Sequence, residues 1–360
     1  MKASIDPWDV KEVKDYYKLM HDLGVDAFDK FPKQLKDPPL PLRRGLVLGH
    51  KDFPKILQAI QKKETFAILT GLMPSGCFHF GHASVIQQVI YYQKLGAKIY
   101  LLSADIEAML TREVSKEKAR GTTIEEYLLN YLALGLSPKN LKFYFQSGGS
   151  TEYNNLSKLA AGKTTFNEVK NIYGDISPAK LVSALTQAAD ILLPQLEGTP
   201  LTLTPVGFDQ LPHANFTRDI ALRMSFQPPT FTFHKLVPGL QGVTTKMSSS
   251  KPESYIAFTD DEKTIAKKIN KYAFSGGQSS IAEHRKKGGN PNLDVSFQYL
   301  KYLFEEDDKK LEELYHNYKS GSLLTGELKA ILIEKINTFL KHHSQQREKA
   351  GKEIDKILDN

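Results

Sequence analysis

Cysteine is almost missing from this 360-residue chain: Cys77 is the only one. A single cysteine excludes an intrachain disulfide and a cysteine-built zinc site. Long apolar runs are missing too, since none approaches the ~20 residues that span a bilayer. The N-terminus MKASIDPWDVKEVKDYY is charged from its second residue and has no apolar h-region. No signal peptide and no membrane association are therefore expected, and a cytoplasmic location is. Charge of one sign does not dominate. The balance of 48 basic against 41 acidic residues gives +7, which permits an anionic partner such as RNA without requiring one. Internal repeats and low-complexity tracts are absent. What is present, 41% apolar and 25% charged residues, excludes a disordered chain or a fibre, and the length allows two or three domains.

Residues 1–64 read as an N-terminal extension. Helical stretches over Val10–Leu23 and Phe53–Lys62 flank the loop PKQLKDPPLPLRRG, whose prolines exclude regular structure. At Thr65 the texture changes. FAILTG reads as a buried strand, HFGHASVIQQVIYYQKLGAK as a helix ending at Gly96, and KIYLLSAD as a second strand. Strand, helix and strand in that order form a βαβ unit and imply a parallel sheet. Residues 106–198 read as a mostly helical insertion, after which LTLTPVG and PPTFTFHKLV supply two more strands. From residue 260 the pattern is helical to the end. The expected fold class is α/β: a Rossmann-like parallel-sheet catalytic domain (65–259) with a helical insertion, followed by an all-helical domain (260–360).

Two motifs carry chemistry. His79-Phe80-Gly81-His82 follows a strand and opens a helix. A helix N-terminus presents free N–H groups and the positive end of the dipole, so it suits phosphate. Gly81 lets a ligand lie against the backbone, and two imidazoles can donate to oxygens as charge builds at phosphorus. The second motif is Lys246-Met247-Ser248-Ser249-Ser250, in which a mobile ammonium and hydroxyl donors suit a polyphosphate. Either stretch alone recurs by chance. Their order on the two sides of an α/β core makes the combination specific.

That combination resembles the class I aminoacyl-tRNA synthetases, and within them the tryptophanyl/tyrosyl pair, whose G-x-D-Q…H…T-R-D stretch is similar to TPVGFDQLPHANFTRDIA here. LRRGLVLGHKDF, KTTFNEVKNIYG, AFSGG, EHRKKGGNPNLDVSFQYL and SGSLLTGELKAILIEKI resemble tryptophanyl-tRNA synthetases of archaeal and eukaryotic type. The resemblance runs from about Pro41 to Asn360. It implies ATP-dependent activation of L-tryptophan, transfer to tRNA(Trp), Mg2+ on the ATP phosphates, and a homodimer whose C-terminal helices read the anticodon.

The resemblance also implies roles. His79 and His82 face the ATP phosphates, and Gly81 underlies the adenine. Lys246 and Ser248 grip the departing pyrophosphate, with Met247, Ser249 and Ser250 completing that loop. Gly207 and Asp209 hold the ribose. Leu69, Glu107, Gln187, Asp190 and Gln210 form the amino-acid pocket. Asp190 accepts from the indole N–H, and Gln187 and Gln210 hold the α-amino group. The commoner family motif is K-M-S-K-S, so Ser249 removes one ammonium from the loop. Eukaryotic tryptophanyl enzymes carry Tyr and Gln where this chain has Leu69 and Leu102. The pocket thus resembles the bacterial scheme on an archaeal/eukaryotic body. The alternatives are a tyrosyl enzyme, an H-x-G-H nucleotidylyltransferase, and a non-enzymatic RNA-binding paralogue. His213, Arg218 and Asp219 in the T-R-D stretch suit structural pairing at least as well as catalysis. His342 and His343 diverge by about 100° on a helix and read as solvated.

Overall fold

The computed structural model describes residues 16–248 and 251–358. Seven strands form one sheet: β1 Asp26–Ala27, β2 Val47–Lys51, β3 Ala67–Leu72, β4 Lys98–Ser103, β5 Leu141–Phe145, β6 Thr202–Gly207 and β7 Thr230–His234. Their order is β1-β2-β7-β6-β3-β4-β5. From β7 to β5 every neighbouring pair is parallel. The Rossmann-like α/β expectation is met. β3 leads outward to β4 and β5, whereas β6 leads the other way to β7. The order therefore reverses between β3 and β6, and a crevice opens at the carboxyl ends of those two strands, where sheets of this kind bind ligands.

Two features depart from the sequence reading. β1 and β2 pair antiparallel with each other, and β2 pairs antiparallel with β7, so the expected boundary near residue 64 crosses the sheet. β5 lies inside the stretch read as helical. Elsewhere the helices fall where periodicity put them, at Phe53–Lys62, Phe80–Lys94 and Pro178–Leu196. Ser177 caps the last of these by accepting the Lys180 N–H, and Gly96 takes φ +99° just past the helix before it. The expected Val10–Leu23 helix is seen as Tyr16–Asp22, its start lying outside the described residues.

Strand alternation sorts the core into two layers. Ile68, Ile99, Leu101 and Leu203 face the Phe80–Lys94 helix. Leu69, Tyr100, Leu102 and Phe231 face the helices Pro178–Leu196 and Leu211–Arg223. The first layer continues without a break into Leu328, Leu332 and Ile336 of the 26-residue helix Thr325–Ala350, so the C-terminal helices share the catalytic core. Arg44 adds a polar tie. Its guanidinium donates from Nε (3.0 Å) and Nη2 (2.6 Å) to Asp308 and from Nη1 to the Lys301 carbonyl (2.8 Å). Among the described residues no helix is long and apolar enough to cross a membrane.

Candidate active site

The loop after β3 turns the chain into the Phe80–Lys94 helix, with His79 at its N-cap. His79 Nδ1 accepts the Gly81 N–H (3.2 Å), and His82 Nδ1 accepts the His79 N–H (3.3 Å). A nitrogen that accepts has no proton, so both rings carry theirs on Nε2. The rings stack with centroids 3.9 Å apart. Burial holds His82 down to about 4, and burial with the neighbouring His82 holds His79 well below the usual histidine range. Both are neutral Nε2–H donors at pH 7. Gly81 gives the His79 ring its room, since a Cβ there would lie 2.9 Å from His79 Cε1 and push the ring aside.

The second motif folds back onto the first. The hairpin of β8 Pro238–Gly239 and β9 Gly242–Lys246 delivers Lys246 and buried Met247, and Met247 Sδ would be 3.6 Å from a Cβ at Gly81. Ser248 is not part of the crevice lining, and its backbone is held by the loop that follows. Its N–H donates to Ser254 Oγ (3.0 Å), and its carbonyl accepts from Lys251 N (2.8 Å). Ser249 and Ser250 lie outside the described residues.

Between the motifs is a cavity of about 470 Å³, the size of a small-molecule site. It is lined by His79, Gly81, His82, Gly207, Asp209, Lys246 and Met247 together with Leu69, Glu107, Gln187, Asp190 and Gln210. Of the site residues expected from the sequence, only Ser248 among the described ones is missing from this lining. Gln187 Nε2 donates to Gln210 Oε1 (3.4 Å), and Gln210 Nε2 donates to Asp209 Oδ2 (3.0 Å). One amide chain thus joins the two halves of the cavity. A Cβ at Gly207 would stand 2.2 Å from Asp209 Oδ1, so glycine lets the carboxylate fold back there. Leu102 covers Gly71 in the same way, its Cγ 2.5 Å from where a Cβ would be.

Asp190 is 1% exposed. It accepts from Tyr144 Oη (3.1 Å) and Tyr153 Oη (2.6 Å) on Oδ1, and from Gln146 Nε2 (2.7 Å) on Oδ2. Burial raises its carboxyl to about 7, against the three donors that lower it. Tyr144, Gln146 and Tyr153 were not legible as site residues. Gln146 also lines the cavity and accepts the Glu107 N–H (3.4 Å). Outside the cavity, Arg218 pairs with Asp52 (2.9 Å) and the Pro229 carbonyl (2.7 Å), and His213 bonds Tyr173 Oη (2.8 Å). Both are structural. His343 is buried, not solvated, and bonds Asn130. Among the described residues no group of three His, Cys, Asp or Glu side chains could hold a metal ion.

A parallel α/β core with two histidines at a helix cap and a lysine hairpin over the same crevice defines a nucleotide-binding fold of the synthetase class. The family model for class I tRNA synthetases (W and Y) matches residues 61–341, and the chain belongs to that family. It is 42% identical to a tryptophan–tRNA ligase of Aeropyrum pernix over 96% of this chain and 95% of that one. It is 40% identical to that of Methanocaldococcus jannaschii over 98% and 97%. Among solved structures, the tryptophanyl-tRNA synthetase of Aeropyrum pernix superposes with a TM-score of 0.90 at 41% identity, covering 98% of both chains. That of Plasmodium falciparum gives 0.84 at 30% identity, over 95% and 97%.

Proposed function

We propose that this chain joins tryptophan to tRNA(Trp) in two steps. A carboxylate oxygen of L-tryptophan bonds to the α-phosphorus of ATP, the bond to pyrophosphate breaks, and tryptophanyl-adenylate forms. A hydroxyl of the 3′-terminal ribose of tRNA then takes the acyl group, and AMP leaves. No protein nucleophile is needed, so the protein contributes position and electrostatics. The observation that carries this reading is the convergence of the His79/His82 cap and the Lys246 hairpin on a cavity that also holds Leu69, Leu102 and Asp190.

In this reading the two Nε2–H groups donate to phosphate oxygens, and Asp209 accepts from ribose hydroxyls. The leucines wall the indole, and Asp190 Oδ2 accepts its N–H. Glu107, Gln187 and Gln210 frame the α-amino group. Lys246 would meet the ATP phosphates with a single ammonium, and Mg2+ bound with ATP would supply the remaining positive charge. Residues 260–360 read the tRNA, and the enzyme works in the cytoplasm as a homodimer.

ATP–pyrophosphate exchange measured with each of the twenty amino acids tests the reading. Tryptophan should support exchange and tyrosine only feebly, because a phenol leaves unfilled space beside Leu69. Faster exchange with tyrosine would return the site to the tyrosyl alternative. Lys246→Ala should collapse exchange while tRNA binding persists. Normal exchange with lost tRNA affinity would move Lys246 to an RNA surface.

A further inference from the structure

The helix Thr325–Ala350 touches the H-x-G-H motif directly where Phe339 meets Phe80 at 5.6 Å, and two further routes to the nucleotide site meet at one side chain, His343. The polar route starts at His343 Nε2, 2.8 Å from Asn130 Oδ1. Asn130 Nδ2 donates to the Glu126 carbonyl (2.5 Å), so its amide oxygen faces the histidine and the imidazole N–H is the donor. Burial, with Arg347 and His342 nearby, holds His343 down to about 4, which fits a neutral ring. Glu126 Oε2 in turn accepts the Phe78 N–H (3.2 Å), and Tyr127 Oη donates to the Gly76 carbonyl (2.9 Å). Both residues lie in a π-helical turn, Thr123–Leu128. Such turns are rare and frequent at functional sites.

The apolar route is shorter. The His343 ring meets Phe258 edge-on at 4.8 Å, Phe258 meets Phe78 at 4.7 Å, and Phe78 stacks on His82 at 5.4 Å. The Phe258 N–H also donates to the Phe78 carbonyl (3.2 Å). Phe78 is therefore held by its N–H, its carbonyl and its ring, and these holds lead back to His343 through Asn130 or Phe258. Phe78 is the residue before His79. A small shift at Phe78 moves the cap that aims both Nε2–H donors.

We propose that His343 is a positioning residue for adenylate formation, acting on the H-x-G-H cap through Asn130, Glu126 and Phe258. It ties the C-terminal helical region to the chemistry of the crevice even without tRNA. The inference rests on the proposed synthetase activity, because it assigns His79 and His82 to the phosphates.

The test is tryptophan-dependent ATP–pyrophosphate exchange by the full-length protein carrying His343→Ala, His343→Gln, Asn130→Ala or the double substitution His343→Ala with Asn130→Ala, with melting temperatures alongside. His343→Ala should lower kcat about tenfold with KM for tryptophan unchanged, the size expected when a positioned donor shifts slightly. Gln can supply an N–H to Asn130 and should restore much of kcat. His343→Ala and Asn130→Ala should not multiply when combined, since they break one chain. If His343→Ala does not fold, His343→Gln and Glu126→Gln carry the test, each with a smaller loss in kcat alone. A folded His343→Ala with wild-type kcat overturns the proposal. So does a loss of kcat that tracks melting temperature across the series, or one that Gln does not restore. Wild-type protein without tryptophan-dependent exchange would instead overturn the activity on which the inference stands.

Discussion

His82→Ala should slow tryptophanyl-adenylate formation by about 10²–10³-fold, the loss typical of removing one preorganised donor from a developing oxyanion. The donor is preorganised because His82 Nδ1 is occupied by the His79 N–H at 3.3 Å, which leaves Nε2 with the proton and a fixed direction. Burial keeps the ring neutral down to about pH 4. Its contribution should therefore be flat between about pH 5 and 8, with no limb near the usual histidine pKa. The charge it meets grows in the transition state, so the dissociation constant for tryptophan should stay near wild type. Rapid-quench measurement of the adenylate burst, beside equilibrium dialysis of tryptophan, separates the two. Weakened tryptophan binding with an unchanged burst rate would remove His82 from the phosphates. The variant also gives up one cap bond, worth about 1 kcal/mol. A melting temperature lowered by only a few degrees would set that structural part apart.

Asp190→Ala should cost tryptophan activation about ten- to a hundredfold and also destabilise the fold. Three buried donors lose their acceptor at once: Tyr144 Oη, Tyr153 Oη and Gln146 Nε2. Each stranded donor costs roughly 1–3 kcal/mol before relaxation. Asp190→Asn keeps the volume and an oxygen for the tyrosines but puts an N–H where the indole N–H should land. It also sets that N–H against the Gln146 Nε2 donor, so it tests recognition at a smaller cost to folding than Ala, with one donor stranded instead of three. The carboxyl titrates near 7 in the folded protein because it is buried, and near 4 when unfolded. The unfolded chain loses this proton first. Stability from this group is therefore fully present below about pH 4, falls as pH climbs from about 4 to about 7, and stays low above. Activity runs the other way, because the ionised carboxylate is the stronger acceptor for an indole N–H on Oδ2. Wild-type kcat/KM for tryptophan should rise through about pH 7, and Asp190→Asn should flatten that limb. A benzothiophene analogue, which has no N–H, should lose less on the substitution than tryptophan does. An unchanged rate in Asp190→Ala would move the indole acceptor to Glu107 or Gln187.

The crevice was readable because its parts are local. A short apolar strand ending near glycine, a histidine cap and a periodic helix follow one another closely along the chain, and β3 and the Phe80–Lys94 helix lie where that pattern puts them. The floor of the pocket was not readable. Tyr144, Gln146 and Tyr153 reach Asp190 across 46, 44 and 37 residues, and no spacing records such a meeting. β5 carries Tyr144 and leads into Gln146, yet its five residues LKFYF sit between strong helical patterns and are too few to show a period of their own. β1 and β2 were hidden by the prolines beside them, which mark a loop but do not reveal what the flanking residues pair with. His343 reads as solvated in the sequence because its ring diverges from that of His342 and so cannot pair with it on a metal, whereas in the fold it faces Phe258 and Asn130.

The antiparallel strands β1 and β2 bear on solubility. A parallel sheet ending at β7, with Phe231 and Phe233, would present an aromatic margin with unpaired N–H and C=O groups, a template on which further chains could add. β2 covers that margin. β1 then ends the ladder after two register pairs, Asp26 with His50 and Ala27 with Gly49, and Pro32 follows soon after. The outermost strand is thus too short to recruit another, and Asp26 places a charge on it. At the far margin β5 carries Lys142, ion-paired to Glu197, and the short helix Asp355–Leu358 lies against it. Among the described residues, both ends of the sheet are thus guarded against strand addition.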